Sequence, residues 1–326
     1  MRLATRKSAN GFTLVEMLVV LAIIGVLAAI LVPTIGVAVR TVRQGAIRTE
    51  MKQMEVAIEN YKTKFNSYPI DFDPRGRQFV APHVKKISRR AILRKPGKRP
   101  DLYADLMTNR FCPNPHYVEG LAPGDAGYRG PEYRNFTTML PHEALVFMLS
   151  ELSTNAEYPL GYKPSGRGVF ALVDYTWDAN LGKFLLTGNK QTFFDFNDNR
   201  LVDLDGDGWL EYMPSGGLDA PYVYFDSRIY RNVPAYGIDF ETGGTVAEIG
   251  GAGVVGAGFA VPYWTNATTP VEANGYQLLC CGMDNNFGVS PVTSLRVFPS
   301  GENFTLEDRD NLANFTDLRL DENLAE

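Results

Sequence analysis

The chain has 326 residues, 45% of them hydrophobic and 21% charged, with a net charge of −5 at pH 7. This is the composition of a protein with room for a compact folded unit and a helical anchor; it excludes a disordered chain and gives no overall basic charge to draw nucleic acid. Three cysteines are too few for a disulfide framework.

The first eleven residues carry Arg2, Arg6 and Lys7 and no acid, so their removal takes the net charge from −5 to −8. From Phe12 to Val39, 28 residues follow with one ionisable side chain, Glu16. As a helix this segment is about 42 Å long, more than the roughly 30 Å of a bilayer's hydrocarbon core. The preceding basic residues put its N-terminus in the cytoplasm and the rest of the chain outside. A cleaved secretory signal would need a small-residue cut site after the apolar run and a polar mature start. Here the helical pattern continues instead. Ile47, Met51, Met54, Ile58, Tyr61 and Phe65 step by three and four residues, which predicts one helix from about Phe12 to Lys64 with an apolar stripe facing a folded head.

Glu16 is the anomaly. A lone carboxylate in hydrocarbon costs several kcal/mol and must protonate or find a cation. The segment offers no cation at that depth. A chain cut just before Phe12 would expose an α-amine, and a neighbouring chain shifted along the axis could pair its Glu16 with it. The local chemistry therefore predicts cleavage and side-by-side assembly.

Gly11 followed by Phe12-Thr13-Leu14-Val15-Glu16 and a long apolar run resembles the class III signal of type IV pilins and type II secretion pseudopilins. That resemblance implies a prepilin peptidase cutting between Gly11 and Phe12 and methylating Phe12. It places the family's essential glutamate on Glu16 and its anchor-helix proline, which often bends or melts the helix locally, on Pro33. It also implies identical or homologous pilin subunits and an inner-membrane assembly platform as partners, and a location in the bacterial inner membrane before entry into a periplasmic or extracellular filament. The domain organisation expected is a leader at 1–11, a transmembrane half-helix at 12–39, an amphipathic half at 40–65 and a head at 66–326.

Pro69 and Pro74 end the helix. Between 75 and 100, eight cations fall within fifteen residues, Lys85, Lys86, Arg89 and Arg90 among them. Phosphate binding is the sharp reading of this insertion. A solvated or intersubunit segment is the plainer one, favoured because no aromatic residues are interleaved to stack bases; nucleic acid is an unlikely partner. Leu140 to Leu152 reads as a buried helix. The stretches RGVFALVDYTW, PYVYFDS and GYQLLCCG read as strands. A long helix followed by strands with irregular insertions predicts an α+β fold, a helical spine carrying an antiparallel β-sheet head. Cys280 and Cys281 would pair with each other only with strain, so a Cys112 bridge to one of them is the better expectation.

Two acidic regions invite a cation. Within 195–211, Asp203, Asp205 and Asp207 alternate, Gly208 follows, and Glu211 lies further on. Alternating oxygen ligands with a glycine next are how a short loop wraps Ca²⁺. Pro214 stands where an EF-hand has its bidentate glutamate, so the loop is not of that type, and a solvated acidic turn is the competing reading. Asp195, Asn197 and Asn199 repeat the alternation upstream. Within 281–315, Asp284, Asp308 and Asp310 resemble the calcium loop of major pseudopilins, and the strand at Pro221-Tyr222-Val223-Tyr224 resembles that family's Pro-Tyr-x-Tyr strand. The segment from about 74 to 217 has no counterpart in a minimal pseudopilin. His83, His116 and His142 lie in unrelated contexts and no catalytic signature is present, so a structural rather than enzymatic role is expected.

Overall fold

The computed structural model describes residues 13–72, 111–165, 170–226, 238–239, 244–245, 258–266, 268–288, 295–317 and 319–324. The chain divides into two compact units, 1–46 and 47–326.

One helix, Leu14–Phe65, spans 52 residues. It starts where the sequence predicts and ends at Asn66, whose φ of 55° is the left-handed geometry that stops a helix. The helical backbone runs through Pro33, so the proline neither ends nor melts it. In the first unit, Leu14, Val15, Leu18, Ile23, Leu27 and Leu31 are all more than half exposed. A continuous apolar sheath of this kind is a surface for lipid or for other helices.

The second unit buries the stripe. Ile47, Met51, Met54, Ile58 and Tyr61 are at most 3% exposed. Tyr61 packs on Phe193 with ring centroids 5.2 Å apart, and Phe65 meets the same ring at 5.8 Å. On a neighbouring turn Glu50 accepts hydrogen bonds from Arg200 Nη1 at 2.9 Å, Tyr222 Oη at 2.7 Å and Tyr212 Oη at 2.8 Å. Burial alone would raise the Glu50 carboxyl; these donors outweigh it and hold the carboxyl below its ordinary value. Ile58→Val, which removes one methyl group from this packed face, is expected to cost about 0.5–1.5 kcal/mol, read as a lower midpoint in chemical denaturation.

The stripe shares its core with a three-stranded antiparallel sheet. Tyr276–Cys280 lies in the centre, paired to Val223–Asp226 with Tyr224 opposite Leu278, and to Leu312–Ala313 with Leu279 opposite Ala313. Every residue of these strands is buried, as their near-continuous apolar sequence requires. The remaining strands form short antiparallel ladders. The expected strand across RGVFALVDYTW is two: Phe170–Leu172 pairs with Tyr162–Pro164, and Tyr175–Asp178 pairs with Lys183–Leu186. Asp174 divides them, its carbonyl accepting from Thr187 N at 2.7 Å and Gly188 N at 2.9 Å.

Leu140 to Leu152 is helical and buried, as expected, in the form of an α-turn, Pro141–Val146, continued by a π-helical turn, Phe147–Glu151. The expected disulfide does not form. Cys112, Cys280 and Cys281 are buried thiols. Cys112 lies on a ladder opposite Arg134, whereas Cys280 lies in the central sheet with its Sγ directed at the Cys281 carbonyl at 3.2 Å. Burial pushes the Cys112 thiol up to about 12, which leaves it unreactive.

Candidate functional site

The start of the long helix is built by Thr13 and Glu16. Thr13 N donates to Glu16 Oε2 at 2.8 Å, Thr13 Oγ1 donates to the same oxygen at 2.7 Å, and Glu16 N donates to Thr13 Oγ1 at 3.2 Å. This is a reciprocal capping box, which satisfies donors a helix N-terminus leaves open. Within a single chain Glu16 therefore has a partner that charge reasoning overlooked, although the pattern Thr-x-x-Glu was visible. Gly11 and Phe12 lie outside the described residues.

The acidic loop at 203–211 is the second site. Each carboxylate near its tip braces a turn: Asp203 accepts from Gly206 N at 2.8 Å and Gly208 N at 3.1 Å, Asp205 from Asp207 N at 3.1 Å, and Asp207 from Trp209 N at 2.9 Å. Glu211 begins the strand Glu211–Tyr212 and accepts from Leu204 N at 3.1 Å across the loop. The loop is clamped from outside. Trp209 is buried, with Nε1 donating to the Asn135 carbonyl at 2.8 Å, and the Arg134 guanidinium lies 3.8 Å from its ring centroid. Gly130, at φ 85°, passes so close that a Cβ there would lie 2.3 Å from Gly208 Cα.

Onto this loop the short helix brings two residues that sequence reasoning did not join to it, His142 and Glu143. Carboxylate oxygens of Glu143, Asp205 and Asp207 lie within 4.8 Å of one another, and ligand atoms of His142, Glu143 and Glu211 form a second such group. Glu143 is 1% exposed. Its Oε2 caps the helix through the Leu140 amide, while Oε1 has no hydrogen-bond partner among the described residues; nor does Asp207 Oδ2. Burial, then Asp207, Asp205 and Glu211, push the Glu143 carboxyl well above the usual range. Burial and Asp205 push Glu211 in the same direction, Asp207 rises to about 8 and Asp203 to about 6. His142 Nε2 sits 3.4 Å from Glu211 Oε1, but burial pushes its pKa down to about 3. The imidazole is therefore neutral at pH 7 and offsets none of this charge. Crowded, buried carboxylates must keep protons or hold a cation.

The other expected sites fare unequally. Asp284 and Asp310 come together: Asp310 Oδ2 accepts from Met283 N at 2.7 Å and Asp284 N at 3.3 Å, and burial with the Asp310 charge raises Asp284 to about 6. Asp308 is engaged elsewhere, fully buried, 3.0 Å from Arg296 Nε and accepting from Tyr263 Oη at 3.1 Å. Asn197 caps the turn Asp198–Arg200. Lys85, Lys86, Arg89 and Arg90 lie outside the described residues.

A family model described as the prokaryotic N-terminal methylation motif matches residues 6–32, which supports a type IV pilin-like protein. No curated protein and no solved structure matches the chain.

Proposed function

We propose that the chain is a structural subunit of a pseudopilus serving type II secretion. The methylation motif implies processing by a prepilin peptidase and assembly with other pilin subunits. The finer reading adds that the cut falls between Gly11 and Phe12, that Phe12 is methylated, and that polymerisation proceeds through the N-terminal helix. The observation that carries it is the exposed apolar surface of that helix, from Leu14 to Val42, in which Glu16 is the only ionisable residue before Arg40. Such a surface needs lipid before assembly and apolar neighbours afterwards. Arg2, Arg6 and Lys7 orient the helix with its N-terminus cytoplasmic and the folded unit in the periplasm. The buried strand Val223–Asp226 and the Asp284–Asp310 pair lie where the sequence resembles the pseudopilin head, which supports a secretion role over a surface pilus.

The reading is tested by intact-mass analysis of protein from cells with an active prepilin peptidase. The mature chain is expected to begin at Phe12 and to carry one extra methyl group. Mature chains that begin at Met1 would overturn it. Deleting the gene is expected to stop export of folded proteins across the outer membrane; loss of surface filaments with export intact would replace the secretion assignment with a type IV pilus.

A further inference from the structure

We propose that Glu143, Asp205 and Asp207 form a calcium site that staples the 203–211 loop to the short buried helix. Two oxygens bound to one Ca²⁺ at about 2.3–2.6 Å are at most about 5 Å apart. The oxygens of Glu143, Asp205 and Asp207 meet that condition, being within 4.8 Å of one another. Glu211 groups instead with His142 and Glu143, beside that triad.

The independent observation is Glu143 itself. It comes from a different element, 60 residues before the loop begins, and is 1% exposed with Oε1 lacking any hydrogen-bond partner among the described residues. A buried carboxylate crowded by two more, with one oxygen left without a hydrogen bond, is costly without a cation among them. The loop's own hydrogen bonds leave ligand capacity: one oxygen each of Asp205 and Asp207 braces a turn, and Asp207 Oδ2 is buried with no hydrogen-bond partner among the described residues. Asp203 has both oxygens on backbone amides and shapes the loop. An all-oxygen, anionic set drawn from a loop and a helix suits Ca²⁺, which accepts six to eight irregularly placed oxygens; Mg²⁺ demands near-ideal octahedra and keeps its waters. Zinc would instead use His142 with Glu143 and Glu211.

The test is calcium titration calorimetry on the full chain in detergent, with melting followed in Ca²⁺ and in EDTA. Wild type is expected to bind Ca²⁺ and to melt higher in it. Glu143→Gln and Asp207→Asn are each expected to weaken binding about tenfold or more, because site affinity follows ligand charge. Both should melt in EDTA at or above wild type, since each replaces a crowded, buried carboxyl by a neutral amide; that behaviour also establishes that they fold. Asp284→Asn/Asp310→Asn is expected to leave this binding event intact. The proposal is overturned if Ca²⁺ gives neither heat nor a melting shift, if Glu143→Gln binds as wild type does, if the Asp284/Asp310 variant abolishes all calcium binding, or if Zn²⁺ binds more tightly than Ca²⁺ and His142→Ala removes it.

Discussion

Arg134→Ala is expected to destabilise the second unit by about 3–5 kcal/mol, because removing one member of a buried ion pair strands the other. Arg134 is 1% exposed and serves four partners. Its Nη2 meets Glu151 Oε2, its Nε donates to Tyr162 Oη at 3.1 Å, its Nη1 donates to the Gly208 carbonyl at 3.3 Å, and its plane covers Trp209. Alanine would leave Glu151 buried with His116 Nε2, 3.0 Å away, and the more distant charge of Lys190 to face it. Burial pushes His116 below its ordinary value, so the imidazole is a poor substitute cation. Replacing both members by apolar residues, Arg134→Met with Glu151→Leu, should recover much of the loss, since no charge then stays buried. Denaturation midpoints of the full chain in detergent, read as a double-mutant cycle, check both statements. An Arg134→Ala protein within about 1 kcal/mol of wild type would show that the network contributes no more than a surface pair.

The same network sets a pH dependence. Burial would raise the Glu151 carboxyl, but Arg134 and then His116 outweigh it and hold it well below its usual value. A carboxyl depressed in the folded state contributes stability that is present above its unfolded pKa, about 4.3, and is lost as pH falls through the folded value. The gap in stability between wild type and Glu151→Gln is therefore expected to shrink as pH falls below about 4.3. A gap that widens as pH falls below about 4.3 would reverse the assignment.

Local pattern made some of this legible and distance hid the rest. The stripe from Ile47 to Phe65 could be read because its period is written in consecutive turns. The central strands could be read because Val223–Asp226 and Tyr276–Cys280 are runs of apolar residues bounded by turn formers. The division at Asp174 was not visible, since it depends on which carbonyl Thr187 and Gly188 reach. The spacing of Asp203, Asp205 and Asp207 raised the expectation of a cation loop, but Glu143 could join them only through the fold. Its one trace in the sequence was a carboxylate inside Leu140–Leu152, a segment apolar enough to be buried. His116 and Glu151 were missed for the same reason, being 35 residues apart and meaning nothing separately. Asp308, matched to a calcium loop by resemblance, has Arg296 as its partner, and no local pattern couples those two.

Glu16→Gln is expected to abolish filament assembly while leaving processing and the helix intact, and the capping box is what makes that substitution informative. Glutamine can reach back to Thr13 as glutamate does, so the helix start survives the change. Its neutral amide also resembles a protonated carboxyl, so insertion into lipid is preserved or eased. What glutamine cannot supply is the negative charge that would face the α-amine of an adjoining chain. Losing one side of a desolvated pair costs about 3–5 kcal/mol, or roughly two to three and a half orders of magnitude in each subunit contact. Polymerisation multiplies that loss along the filament. The measurement is the yield of sheared or cross-linked polymer from cells that express Glu16→Gln at wild-type levels, with intact mass confirming that the chains begin at Phe12. Glu16→Asp separates the two roles from the other side. It keeps the charge on a shorter arm that reaches Thr13 less well, and is expected to assemble better than glutamine. If the glutamine variant polymerises as wild type does, the carboxylate only caps its own helix, and the pairing of Glu16 with a neighbouring terminus falls.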